Sequence, residues 1–268
     1  MTATTSSAEA LVFPRIADLK DRVFLVTGAS TGIGAAVARA LGAQGARVAV
    51  HYNQSKDAAS AVVAAIKSAG GEGFAIDGDL ARSKVVTEVV DRAAAHFGRI
   101  DVLINNAGSL VKRVPVADAT DDHYDAVMDL NARSVFAACR AVIPHFRKAG
   151  RGNIINTTSI AARHGGGGGA VLYAAAKGFV STLTHGLAKE LVKDNVRVNA
   201  VSPGVIATPF HERFSTAEQI KAMTATIPMG RLGSSEECVG AYLYLASDAL
   251  SGYVTGQVIE VNGGQLMP

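Results

Sequence analysis

Val26-Thr27-Gly28-Ala29-Ser30-Thr31-Gly32-Ile33-Gly34 closes a short apolar run, Val23-Phe24-Leu25-Val26, and opens an alanine-rich stretch with helical spacing. A strand that turns sharply through glycines into a helix aims backbone amides and the positive end of the helix dipole at one point. An anion such as a pyrophosphate is stabilised there. The glycines permit the tight turn and a close approach of ligand to backbone. Their spacing is Gly-x-x-x-Gly-x-Gly, not the Gly-x-Gly-x-x-Gly of the general dinucleotide fingerprint. Taken alone, the segment also reads as a structural glycine turn.

Outward from this turn, β-branched runs alternate with longer helical stretches to the C-terminus, the βαβ signature of a parallel sheet. Strands are expected near 22–27, 47–51, 73–77, 101–105, 152–158, 196–202 and 257–261, and helices near 33–44, 57–69, 83–97, 121–149, 171–194 and 235–246. The strand runs are apolar throughout, as strands covered on both faces must be. The expected fold is a single α/β domain, a doubly wound Rossmann-type sheet of about seven parallel strands over 19–268. Residues 1–18 lack periodicity and read as a flexible tail. Residues 203–232 break the rhythm with Pro203, Pro209 and Pro228 beyond a strand's C-terminal end, where ligands of such sheets bind, and read as a substrate-binding lid.

Composition narrows the function classes. Of 268 residues, 49% are hydrophobic and 18% charged, ample for a large core. The 26 Lys and Arg face 23 Asp and Glu without basic clusters beyond pairs, so no nucleic-acid partner is expected. No apolar run has membrane-spanning length, and the N-terminus lacks the layout of a signal peptide. Cys139 and Cys238 stand far apart in sequence, and no Cys/His cluster has metal-ligand spacing, which suggests a reduced, cytoplasmic protein without a metal.

Thr27-Gly28-x-x-x-Gly32-x-Gly34, Asn105-Asn106-Ala107-Gly108, Ser159, Tyr173-x-x-x-Lys177 and Pro203-Gly204 occur in one order that resembles the short-chain dehydrogenase/reductase family, from about residue 20 to the end. The resemblance implies a nicotinamide cofactor. It places Gly28, Ser30, Thr31, Gly32, Ile33 and Gly34 at the pyrophosphate and Asp79 and Leu80 at the adenine. It assigns Asn105, Ala107 and Gly108 to the adenosine side, and Pro203, Gly204, Val205, Ile206 and Thr208 beside the carboxamide.

Tyr173 and Lys177 are four apart on a helix, so they share a face. An ammonium beside a phenol favours the phenolate, which would bring the tyrosine toward working pH as a general acid/base. With the family's chemistry, Tyr173 exchanges a proton with the substrate oxygen while a hydride passes to or from the nicotinamide. Ser159 hydrogen-bonds that oxygen, and Lys177 also holds the nicotinamide ribose. Asn131 matches the family's helix asparagine, which supports a water-linked proton relay to the lysine; capping or bridging backbone is its plain alternative.

An acid at the end of the second strand would accept from a ribose 2′-hydroxyl and repel a 2′-phosphate. This chain has Tyr52-Asn53-Gln54-Ser55-Lys56 there, with no acid until Asp57. NADP(H) is therefore the expected cofactor, with Tyr52, Asn53, Ser55 and Lys56 at its ribose, and NAD(H) is admitted. The pattern is similar to 3-oxoacyl-carrier-protein reductases and equally to sugar and polyol dehydrogenases, so the substrate is a small-molecule carbonyl or alcohol. The long helices and the final strand imply a homotetramer. A non-catalytic dinucleotide sensor on the same fold is the reading from another class, disfavoured because such a module needs no proton donor.

Overall fold

Alternate residues of β1 (Val23–Val26) go to opposite cores, which explains why the run is apolar at every position. Phe24 and Val26 join a cluster with α1 (Gly32–Ala43), α2 (Lys56–Ser68) and α10 (Ser235–Ala246). Val23 and Leu25 join the cluster beneath α3 (Ser83–Phe97), α5 (Ser134–Ala149) and α7 (Val171–Leu191). Each fully buried Phe or Leu contributes about 1.5–3 kcal/mol.

In the computed structural model, which describes residues 13–267, β1 is one of seven parallel strands. The others are β2 (Arg47–Tyr52), β3 (Glu72–Asp77), β4 (Val102–Asn105), β5 (Gly152–Thr157), β6 (Val196–Pro203) and β7 (Val258–Val261). Their spatial order is β3-β2-β1-β4-β5-β6-β7. The order reverses between β1 and β4, and a crevice opens beyond the carboxyl ends of strands at such a point. α4 (Asp121–Met128), α6 (Ala161–His164), α8 (Pro209–Phe214), α9 (Ala217–Thr224) and α11 (Asp248–Ser251) complete the helices. None of the described helices is long and apolar enough to cross a membrane.

The seven expected strands and the layered architecture are found. Two expectations need correction. The stretch 121–149 is not one regular helix: between α4 and α5, Asp129–Arg133 forms a π-helical turn. The tail is also shorter than expected. Phe13 and Ile16 pack against the core, and the carboxylate of Asp18 accepts hydrogen bonds from the Ser247 hydroxyl and the Asp248 and Ala249 amides. The rest of that expectation lies outside the described residues.

Candidate active site

The phosphate-type turn is held from three sides. Gly28 has φ of 61°, and a Cβ there would lie 2.9 Å from the Ala107 Cα. A Cβ on Gly34 would lie 2.4 Å from both the Gly28 carbonyl oxygen and the Asn106 amide nitrogen. Only glycine lets helix α1 start this close to β1 and β4. The Asn106 amide donates to the carbonyls of Thr27 and Gly28, at 3.0 Å each, while the Thr27 hydroxyl accepts from the amides of Asn106 and Ala107.

His51 supplies the third support. Its Nδ1 accepts from the Gly28 amide at 3.0 Å, so Nε2 carries the proton and donates to the Gly78 carbonyl, also at 3.0 Å. The ring is buried, and burial holds it neutral by lowering its pKa. It ties the β1 turn to the loop after β3.

Beyond these turns lies a cavity of about 620 Å3. Gly28, Ser30, Thr31, Gly32 and Ile33 line it on one side, with Asn53, Ser55, Leu80, Ala107 and Gly108 nearby. Thr31 makes no side-chain cap to α1 and the first turn carries no acid, so the helix's positive end faces this space. No Asp or Glu is among the lining residues. A glycine cradle, an open helix N-terminus and an acid-free wall fit a nicotinamide dinucleotide.

The other wall carries Ser159, Tyr173 and Lys177 with Pro203, Gly204, Val205, Ile206 and Thr208. Ser159 lies just past β5, its hydroxyl accepts from the Ala161 amide at 3.1 Å, and it lines the same wall as the Tyr173 phenol, whose pKa it lowers. The five glycines 165–169, all with positive φ, span the connection between α6 and α7 that separates Ser159 from Tyr173 in the sequence. Lys177 stands one helical turn beyond Tyr173. Its Nζ donates to the Thr157 carbonyl at 2.8 Å and lies 5.7 Å from the centre of the Tyr173 ring.

The acid–base balance differs from expectation. Burial pushes the Tyr173 phenol up to about 12, against a smaller lowering from Ser159. Phe210 of α8 contributes to that burial, its ring centre 5.7 Å from that of Tyr173. Burial brings Lys177 down to about 8. The expected lowering of the phenol by the lysine is thus overridden by desolvation, and Tyr173 rests as a proton donor at neutral pH.

Asn131 is fully buried in the π-helical turn, a distortion that often marks functional sites. Its Oδ1 accepts from the Ser109 amide and its Nδ2 donates to the carbonyls of Ser109 and Val127. The side chain bridges backbone behind the cavity wall. Gly108 separates it from Lys177: a Cβ there would meet Asn131 Oδ1 at 2.8 Å and Lys177 Nζ at 3.2 Å.

Several expected cofactor residues lie off the wall. Asn105 points into the sheet, donating to Asn156 and to the Cys139 sulfur, because β4 still alternates its side chains there; Asn106 is the one at the cavity. Gly34 packs beneath the turn. Tyr52, Lys56 and Asp79 are not lining residues, and Asp79 caps its own turn through the Ala81 amide. His51, Asn106, Arg113 and Phe210 went unassigned in the sequence. Three of these reach the site only through tertiary contacts; Asn106 carried a signal, as the second residue of the Asn-Asn-Ala-Gly motif.

Comparisons with known proteins agree with this geometry. A family model described as Enoyl-(Acyl carrier protein) reductase matches residues 28–265. The chain is 44% identical over 253 residues to a 3-oxoacyl-[acyl-carrier-protein] reductase of Synechocystis sp., covering 93% of this chain and 98% of that protein. The solved structure of an NADH-dependent reductase A1-R' responsible for alginate metabolism matches with TM-score 0.87 and 38% identity, over 94% and 100% of the two chains. A short chain dehydrogenase from Burkholderia cenocepacia J2315 in complex with NADP matches with TM-score 0.86 and 34% identity, over 92% and 98%.

Proposed function

The chain belongs to the short-chain dehydrogenase/reductase family and is an NAD(P)-dependent oxidoreductase of carbonyl and alcohol groups, and we propose that it reduces 3-oxoacyl thioesters with NADPH. The observation that carries this reading is a half-buried phenol, kept protonated by desolvation, that lines the cavity wall together with Ser159 and Lys177. Held by Gly28, Ser30, Thr31, Gly32 and Ile33, a nicotinamide cofactor would supply the hydride for the carbonyl carbon. Tyr173 releases its proton to the carbonyl oxygen as negative charge develops there. Ser159 donates to the same oxygen and fixes its position. The Lys177 ammonium, anchored on the Thr157 carbonyl, stabilises the phenolate that remains until solvent returns the proton. Asn131 acts through backbone, holding the Ser109 segment against the π-helical turn.

Three features support the substrate and cofactor. The similarity to the Synechocystis reductase runs over nearly its whole length. Phe210 and Phe214, with ring centres 5.3 Å apart, give the lid segment 203–232 an apolar face for an acyl chain. At the end of β2, Asn53 and Ser55 line the cavity where an acid would repel a 2′-phosphate. A second reading, reduction of a sugar-derived carbonyl with NADH, is favoured by the likeness to the alginate-metabolism reductase.

Exposed Phe136 on α5 and exposed Phe179 on α7 suit a dimer through these helices, and exposed Tyr253 beside β7 suits the second contact of a homotetramer. Light scattering tests that assembly. Following nicotinamide absorbance against 3-oxoacyl thioesters, simple ketones, sugars and polyols, with each cofactor, tests the reaction. Turnover of thioesters with NADPH, at least tenfold more efficient than with NADH, is the expected result. Turnover of sugars alone, or an NADH preference, contradicts it.

A further inference from the structure

The cavity does not end at the lid. Arg113, Arg213 and Phe214 line both the cavity and a shallower groove of about 480 Å3, whose wall continues through Val111, Lys112, Ser215, Thr216 and Gln219. The groove therefore carries three cations and, like the cavity, no acid. Among the described residues, no carboxylate lies within ion-pair distance of Lys112, Arg113 or Arg213. Ten other arginines of the chain do have such partners, so Arg113 and Arg213 differ from most arginines in standing, with Lys112, uncompensated on one small wall.

Their placement is built. The Arg113 guanidinium donates to the carbonyls of Phe214 and Gly168 and to the Ser215 hydroxyl, all neutral acceptors, so its position is fixed and its charge is left standing. That charge reaches the cavity, where it helps lower the pKa of His211. The residue presenting these cations is strained. Val111 has φ of 61°, and the Lys112 amide closes a tight three-residue turn onto the Leu110 carbonyl at 2.6 Å. A β-branched residue in that conformation costs on the order of 1–3 kcal/mol, and such strain concentrates at ligand clamps. Here it turns Lys112 and Arg113 toward the groove.

We infer that this groove binds an oxyanion carried on the substrate's tail, beyond the reacting carbonyl. Under the thioester reading, on which the assignment of that anion rests, it is the phosphate of a pantetheine arm, whether the arm belongs to coenzyme A or to a carrier protein. Arg113 fixes the wall, and Arg213 and Lys112, both exposed, supply donors that rearrange around the phosphate.

The test compares acetoacetyl thioesters of pantetheine, 4′-phosphopantetheine and coenzyme A, in the native enzyme and in Arg213→Gln/Lys112→Gln. The expected result is a preference for the phosphorylated arms in the native enzyme. The ratio of kcat/KM with phosphate to kcat/KM without it falls about tenfold in the double variant. Lys112→Gln alone gives a smaller fall of the same sign. A preference shared by 4′-phosphopantetheine and coenzyme A assigns the arm's phosphate; one confined to coenzyme A assigns its nucleotide phosphates to the same groove. An unchanged ratio overturns the inference.

If no thioester turns over, the proposed function fails and the groove is judged separately. Calorimetric titration of 4′-phosphopantetheine into NADP+-saturated protein then decides. Binding that weakens in the double variant supports the groove, and equal or absent binding overturns it.

Discussion

On the β1 side of the cavity the wall is mainly backbone, held by glycines, by the Asn106 amide and by one neutral histidine. On the lid side it is mainly side chains, which Tyr173, Phe210, Phe214 and Arg113 bring together from three distant stretches of chain. The first wall is suited to a ligand whose shape does not vary, the second to substrates that differ among relatives of one fold. Changes on one side should therefore move cofactor affinity and changes on the other substrate efficiency.

The sharpest way to break this division is Gly34→Ala. Its Cβ would press on the Gly28 carbonyl and the Asn106 amide, and overpacking of about 3 kcal/mol predicts NADPH binding weakened on the order of 100-fold by fluorescence titration. Native-like affinity would show that the turn is not the cofactor's seat. Phe210→Ala should instead raise the KM for an acyl thioester about tenfold, with the NADPH dissociation constant within about twofold of native. A shift in the cofactor constant alone would reverse the assignment of the two walls.

The seam between the walls has its own pH dependence. Lys177, lowered to about 8, carries its charge only below that pH, whereas Tyr173, raised to about 12, stays protonated throughout. Initial-rate kcat/KM for reduction should be level below about pH 7, about halved at pH 8 and lower by about fourfold at pH 8.5. A level profile through pH 9.5 would remove the lysine charge from the mechanism.

The smallest effect belongs to His51. Its pKa is lowered in the fold, so as pH drops below about 6.5 the unfolded chain takes up a proton that the folded ring refuses. Stability lost on acidification should exceed that of His51→Asn by at most about 1.4 kcal/mol per pH unit, read from denaturant curves at pH 5 and 7. Identical losses would mean that the ring titrates freely.

The backbone wall was largely legible in the sequence, because a glycine turn between strand and helix is local chemistry. The apolar runs likewise placed all seven strands, since a doubly covered strand needs no alternation. What escaped were facts about register and distance. The π-helical turn at Asp129–Arg133 changes hydrogen-bond partners without changing hydrophobic spacing, so 121–149 read as one helix. Asn105 and Asn106 are chemically identical neighbours; only the strand's alternation decides that the first enters the sheet and the second meets the turn. Arg113 and Phe210 acquire roles through partners some hundred and some forty positions away, which no short motif encodes. The phenol's pKa depends on lid burial, so the Tyr-Lys spacing alone gave the wrong direction.

The central claim, that the Tyr173 phenol is the proton donor and not a prop for the cofactor, is tested most directly by Tyr173→Phe. NADPH titration and acetoacetyl thioester turnover are measured on the same preparation. The expected result is cofactor affinity within about twofold of native and kcat reduced by about 10²–10⁴-fold. Turnover near the native rate would contradict the account.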